Sequence, residues 1–430
     1  MSSLKVSTRI LIISDTHGAQ PYVKPSTTTT TTTISNITTS NSNSSNQPDT
    51  EDELTSPTAN LLHAPTGFRD PLPSADVAIH CGDLTRRSTP AEFAATFAFL
   101  SALRAPLKLA IAGNHDLALD AEHWFEGYED DDDEGDAADL YGEGHHEWAA
   151  EARRKRREER QAVLDIVARA EAHGVRYLTE GTHSFALGNG ARLSVYASPY
   201  TPVFGGWAFQ YPPGAHDFRI PPGVDVAVTH GPPLGVLDGA GMAQLQGLPP
   251  DHPATDRAGC DALFQAVHAA RPQLHCFGHI HEAWGGYLAT WRDDDGHNDG
   301  QALPDVQQHQ HHHHHHQHQH QHQHHHHRHP TWHSAIDPST SQLLYTARHL
   351  KPQTRADLVS VTPEAVRRLA RLSRQRCVHV DTTGADGGAA RLEKGRQTLF
   401  VNASIMDVRY RPSQLPWLVD LELPRAEAQP

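Results

Sequence analysis

"RILIISDTHG" (residues 9–18) holds an apolar run that breaks abruptly into Ser-Asp-Thr-His-Gly. An apolar run without polar alternation marks a strand buried on both faces. The pattern recurs in "DVAIHCGD" (76–83), "LKLAIAGNHD" (107–116), "VDVAVTHGPP" (224–233) and "LHCFGHIH" (274–281). Each run ends in Asp, Asn or His and then a turn. Carboxyl ends of such strands are where α/β sheets place their ligands. Between them, "TPAEFAATFAFLSAL" (89–103) predicts a helix with a Thr cap and Pro at its first position. A second helix is predicted through 147–174, stopping at Gly174. "RLSVYASPYTP" (192–202), "TLFVNASI" (398–405) and "PWLVDLEL" (416–423) read as further strands. The prediction is an α/β domain with two sheets at its core.

The 430 residues would ordinarily suggest two or three domains. Only 37% are hydrophobic, and mean hydropathy is −0.57, so less of the chain can pack. One domain is expected over 1–424, with roughly 240 packed residues, an ample size for a core. Low-complexity insertions are expected at 25–70, 126–145 and 293–395, with a tail at 425–430. The first is rich in Thr, Ser and Asn, the second is acidic, and the third carries a His/Gln tract at 309–329. Net charge is −15, which disfavours nucleic acid and anionic membranes as partners. Four scattered cysteines without a CxxC pair read as reduced thiols of an intracellular, cytoplasmic protein. The N-terminal stretch does not read as a signal peptide, and no stretch is apolar for the length of a membrane span.

The polar strand ends supply Asp15, His17, Asp83, Asn114, His115, Asp116, His230, His279 and His281. Carboxylate, imidazole and amide suit divalent or trivalent ions. So many donors exceed one tetrahedral site and fit two adjacent ions if one carboxylate bridges. Two ions roughly 3.5–4 Å apart can hold a bridging hydroxide and both oxygens of an in-line displacement. Phosphate ester hydrolysis most needs that help, because its uncatalysed barrier is so high. In "GHIH", imidazoles at i and i+2 lie on one side of an extended chain.

"SDTHG" (14–18), "GDLT" (82–85), "GNHD" (113–116), "THGPP" (229–233) and "GHIH" (278–281), in this order, resemble the motifs of the calcineurin-like metallophosphoesterase superfamily. "SPYTPVFGGWAFQY" (198–211), "FGHIHEAWG" and "LFVNASI" further resemble its metallophosphoesterase-domain-containing, cyclic-nucleotide phosphodiesterase-like subfamily. The resemblance implies a two-sheet β-sandwich flanked by helices. It implies a hydrolase acting on small phosphodiesters, cyclic nucleotides among them, or phosphomonoesters. The implied cofactors are two ions of Mn, Fe or Zn. Asp15, His17, Asp83 and His281 would hold one ion, and Asp83 would bridge. Asn114, His230 and His279 would complete the second site. His115 would face the scissile phosphate and protonate the leaving oxygen or stabilise the transition state, with Asp116 orienting it. "GDLTRRST" stands where protein phosphatases of the superfamily carry Asp-Arg-Gly, which argues against that activity.

Other readings stay open. His80 reads as a packed or supporting residue. Phe204, Trp207 and Phe209 line either a pocket for a base or aryl group, or ordinary core. The basic helix predicted at 362–376 reads as a solvated surface, as does "ARRKRREER" (152–160). The His/Gln tract has ligand chemistry without fixed geometry. A regulatory or interaction protein on the same fold is the alternative to an enzyme.

Overall fold

A computed structural model describes residues 4–23, 67–125, 143–240, 256–292, 335–350, 363–385 and 391–426. Two sheets lie at its centre. The first contains β1 (Lys5–Ile13), β2 (Val77–His80), β3 (Leu107–Ala110), β4 (Val175–Tyr177), β15 (Val378–Asp381) and β17 (Trp417–Pro424). Their order is β15-β17-β1-β2-β3-β4, with β1 to β4 parallel and β17 antiparallel to β1. The second contains β5 (Gly181–Ala186), β6 (Arg192–Ser198), β9 (Val226–Thr229), β12 (Leu274–Phe277), β13 (Gly285–Thr290), β14 (Gln342–Thr346) and β16 (Gln397–Asn402). Its order is β14-β13-β16-β12-β9-β6-β5, parallel across its centre and antiparallel at both margins. Two-residue ladders pair β7 (Thr201–Pro202) with β8 (Gln210–Tyr211) and β10 (Gly239–Ala240) with β11 (Asp256–Arg257).

β1 shows why its sequence has no polar alternation. Side chains alternate between the two faces of a strand. Ile10 and Ile12 enter the layer between the sheets, with Val77, Val195, Val226 and Val419. Leu11 and Ile13 enter the cluster formed by Phe93 and Phe97 of α1 (Pro90–Ala102), Trp124 of α2 (Ala121–Phe125) and Val163 of α3 (Glu143–Ala170). Both faces are dry, so both must be apolar. Each such buried side chain contributes about 1.5–3 kcal/mol. Behind the second sheet, Phe277 and Phe400 pack with Phe264 and Val267 of α4 (Asp261–Ala270). The layers therefore run helix, sheet, sheet, helix, the two-sheet α/β arrangement predicted.

Thr89 caps α1 in a reciprocal box with Glu92, as its sequence predicts. After α3 a short 3-10 turn, Glu171–His173, leads into Gly174, the predicted stop. Arg154 of α3 pairs with Glu151 and Glu158 in solvent, whereas Arg156 stacks on Trp124 at 4.8 Å, so only part of the basic run is a solvated face. The four cysteines are buried and unbridged. No helix among the described residues is long and apolar enough to cross a membrane.

The segment boundaries need correction. Phe68, inside the 25–70 insertion, is fully buried against Phe99, so the chain rejoins the core by residue 67. The 293–395 insertion supplies β14, an edge of the second sheet, and β15, an edge of the first. It also supplies α5 (Pro363–Gln375), whose Leu372 is buried. "QLLYT" and "VHVD" are half-exposed edge strands, which lack the apolar signature of central ones. Arg425, placed in the tail, bridges Ala191. The His/Gln tract and residues 126–142 lie outside the described residues.

Candidate metal centre

The motif strands end together. Ile13 is level with His80, and His80 with Ala110. Beyond them the first sheet meets the second, where Ser14 and Ser404 form a parallel bridge. Gly278 N donates to the His230 carbonyl and so joins the last two motifs. Asp15, His17, Asp83, Asn114, His230 and His281 are buried on this edge, and His279, half-buried, joins them beside His230.

Two motif glycines are set by close approach. A Cβ on Gly113 would stand 2.4 Å from Asp83 Oδ1 and 2.6 Å from His230 Cε1. On Gly278 it would stand 1.9 Å from Asp15 Oδ2. Asp15, His17, Asp83 and His279 all have left-handed backbones, with φ of 52°, 46°, 53° and 66°. That conformation costs about 1–3 kcal/mol per non-glycine residue and persists where surrounding structure imposes it.

Imidazole tautomers follow from partners. His17 Nδ1 lies 3.0 Å from the Thr85 carbonyl, and His230 Nδ1 lies 2.9 Å from the Cys81 carbonyl. A carbonyl only accepts, so both Nδ1 atoms carry hydrogen and both Nε2 atoms are bare. His17 Nε2 faces Asp83 Oδ2 at 3.5 Å, and His230 Nε2 faces Asp83 Oδ1 at 3.4 Å. His230 Nε2 also faces Asn114 Oδ1 at 2.9 Å, and His17 Nε2 faces His281 Nε2 at 3.4 Å. His281 Nε2 lies 3.4 Å from Asp15 Oδ1. The His279 ring sits 5.0 Å from that of His230. The bare Nε2 atoms of His17 and His230, set against the oxygens of Asp83 and Asn114, fit a cation between them. Potential ligand atoms within 4.8 Å of one another form three groups: Asp15, His17 and His281; His17, Asp83 and His115; and Asp15, Asp83 and His230.

The ionisations match a site built for positive charge. Burial opposes a charged Asp15, but its hydrogen bond to His281 and the nearby imidazoles hold it well below the usual range. Burial, reinforced by the charges of Asp15 and Asp116, pushes Asp83 well above it. Burial pushes His279 down to about 3 and lowers His17 and His230. Neutral imidazole is the ligand form. His281 differs, since burial lowers it but its hydrogen bond to Asp15 and the Asp15 and Asp83 charges outweigh that and raise it.

His115 is partly exposed at the mouth, 4.8 Å from His17 between ring centres. Its Nδ1 lies 3.1 Å from the Arg86 carbonyl. The expectation that Asp116 orients it is not met. Asp116 is fully buried and turned inward. It accepts hydrogen bonds from Leu84 N, Thr85 N, Thr85 Oγ1 and Gly113 N, and so braces the backbone around Asp83. His80 is a support, with Nε2 2.9 Å from Thr16 Oγ1.

Sequence reasoning missed several supports. Ser404 Oγ donates to Asp15 Oδ2 at 2.8 Å. Asn402 Nδ2 donates to the Ile280 carbonyl, and Gln414 Nε2 to that of His281. The first two lie in "VNASI", whose Asn and Ser after an apolar run were the available signal. Tyr410, with its ring 5.0 Å from His17 and 5.1 Å from His281, was also missed.

The two-sheet α/β sandwich thus gathers buried imidazoles and carboxylates on one edge, in groups that could hold metal ions. The calcineurin-like phosphoesterase family model matches residues 8–283, and the chain belongs to that family. It is 33% identical over 219 residues to the human metallophosphoesterase domain-containing protein 1, covering 50% of this chain and 56% of that one. It is 31% identical over 224 residues to the probable rhamnogalacturonate lyase C of Emericella nidulans, covering 51% of this chain and 16% of that protein. It is 27% identical over 223 residues to the UPF0046 protein T07D4.2 of Caenorhabditis elegans, covering 50% and 48%. The alignments thus span less than two thirds of each of these relatives.

Proposed function

We propose that the protein is a binuclear metal-dependent phosphoesterase acting on small phosphodiesters, cyclic nucleotides among them, or phosphomonoesters. The observation that carries this reading is Asp83, whose two oxygens each face a bare Nε2 atom, Oδ2 that of His17 and Oδ1 that of His230. A carboxylate so placed suits a bridge between two ions. Asp15, His17 and His281 would hold one ion with Asp83; Asn114, His230 and His279 would hold the other. Bound ions would supply charge neutralisation for the phosphoryl oxygens and activation of water.

The remaining steps fall to the protein. The Arg86 carbonyl fixes the Nδ1 hydrogen of His115. Nε2 then faces the departing oxygen and can pass it a proton only from the imidazolium, the form that burial disfavours here. Such general acid help contributes about 100- to 10,000-fold. Asp116 keeps the Asp83 turn and Gly113 in place. Ser404 and the His279 amide both donate to Asp15 and orient it.

Purified protein supplied with Mn²⁺ is expected to hydrolyse bis-p-nitrophenyl phosphate. Asp83→Asn is expected to lower kcat/KM by about a hundredfold or more. Elemental analysis should give more metal per chain for wild type than for Asp83→Asn. Any metal held on the His/Gln tract cancels in that difference. Wild type no faster than Asp83→Asn across several metals and esters refutes the reading.

A further inference from the structure

We propose that Trp207 and Tyr410 determine substrate specificity, forming two walls beside His115 that take a flat aromatic ester group of the substrate. This rests on the phosphoesterase reading above. His115 Nε2 is the atom assigned to the leaving oxygen, so whatever carries that oxygen lies against His115. The Trp207 indole packs on that imidazole, with ring centres 4.1 Å apart and planes inclined by 34°. The Tyr410 ring stands 6.4 Å from the same imidazole. Both residues are open to solvent, at 37% and 40%.

Neither wall is loose. Trp207 sits on the turn between β7 and β8, where Gln210 Oε1 accepts from Trp207 N and Gln210 Nε2 donates to the Phe204 carbonyl. The next two amides fasten that turn to the site, Ala208 N to the Asn114 carbonyl and Phe209 N to Asp120 Oδ2. Phe209 itself is core, set edge-on against Tyr200. Tyr410 is presented by a left-handed residue in a turn wound around Asp407, which accepts from the amides of Arg409, Tyr410 and Arg411. Arg86 ties the Tyr410 wall to His115. Its carbonyl faces His115 Nδ1, and its guanidinium lies 5.0 Å from the centre of the Tyr410 ring.

The sequence left Phe204, Trp207 and Phe209 divided between pocket and core. The structure separates them: Phe209 turns in, Phe204 is 81% exposed, and Trp207 stands between at the mouth. Exposed aromatic surface on a pinned turn beside a reacting group marks a ligand-binding face. Aromatic rings pair in offset-stacked or edge-to-face geometry at 4.5–7 Å. A flat aromatic group can meet both walls in this way, whereas a methyl group leaves the indole wet.

Phenylphosphonate and methylphosphonate carry P–C bonds, so both can be compared as ligands that do not turn over. With Mn²⁺-supplied wild type, phenylphosphonate is expected to bind about tenfold more tightly, by calorimetry and by inhibition of bis-p-nitrophenyl phosphate hydrolysis. Trp207→Ala should bring the two constants within about threefold, mainly by weakening the phenyl compound, and Trp207→Phe should retain most of the preference. Tyr410→Leu should lose part of it. Equal binding of the two phosphonates by an active wild type overturns the aromatic walls and leaves the phosphoesterase reading standing. So does a preference that survives both Trp207→Ala and Tyr410→Leu. A wild type that neither hydrolyses esters nor binds either phosphonate overturns both.

Discussion

Asp116→Asn separates a brace from a catalytic orienter. Asp116 Oδ1 accepts from Thr85 N at 2.9 Å and Thr85 Oγ1 at 2.7 Å, and Oδ2 from Leu84 N at 3.0 Å and Gly113 N at 2.9 Å. Asparagine must point its NH₂ at one of these donor pairs. On the Oδ1 side the Thr85 hydroxyl can rotate and accept, which leaves one buried N–H without a partner, at about 1–3 kcal/mol. The other contacts weaken as well, because charged acceptors bind more strongly than neutral ones. Against this, burial pushes the Asp116 carboxyl up to about 6, so the neutral amide recovers part of the desolvation penalty. The net destabilisation is about 1–3 kcal/mol, or roughly 2–12 °C in Tm. Alanine orphans all four donors and should fall further. Thermal melts by circular dichroism, paired with kcat/KM on the folded protein, are the assay. If Asp116 only braces the turn, Tm falls, activity per folded molecule falls less than about tenfold, and Ala is worse than Asn in stability. An unchanged Tm with a hundredfold or greater loss of kcat would refute the reasoning and return Asp116 to service on His115.

Gly278→Ala puts a methyl 1.9 Å from Asp15 Oδ2 and should weaken Mn²⁺ binding at least tenfold in a calorimetric titration. Wild-type affinity in that variant would show that the edge yields freely. Dialysis against a chelator should lower Tm and Mn²⁺ should restore it, since the bare Nε2 atoms of His17 and His230 then face Asp83 without a cation. An ion at a hundred times its Kd stabilises by about 2.7 kcal/mol, and a melt indifferent to Mn²⁺ argues against the centre. Asp420 joins β17 to its neighbours through Arg9 and His379. Burial raises its carboxyl, but those two partners outweigh that and hold it at about 2. A depressed carboxylate stabilises above its unfolded pKa of about 3.9 and loses that contribution as pH falls toward the folded value. The Tm deficit of Asp420→Asn at neutral pH should therefore shrink below about pH 4, and a deficit constant with pH would exclude the linkage.

How much of the molecule was legible depends on how each residue is held. The strand-end donors could be read because burial on both faces leaves a sequence trace: Ile10 and Ile12 must be apolar for the partner sheet, Leu11 and Ile13 for the helices. β14 and β15 leave no such trace, because half of each edge strand is wet. Asp116 was misread for a different reason. The resemblance implied a carboxylate that orients the acid, yet His115 turns to the mouth and Asp116 to the interior. Arg86, Trp207 and Tyr410 reach the mouth from turns, where no period exists to read. Asp15, His17, Asp83 and His279 all carry left-handed backbones at a charge of about 1–3 kcal/mol each. A strand clamped between two dry layers can impose that strain on the residue at its end. A donor of the same chemistry on an unclamped chain would relax out of it, so the apolar run before each motif says as much about the site as the motif itself.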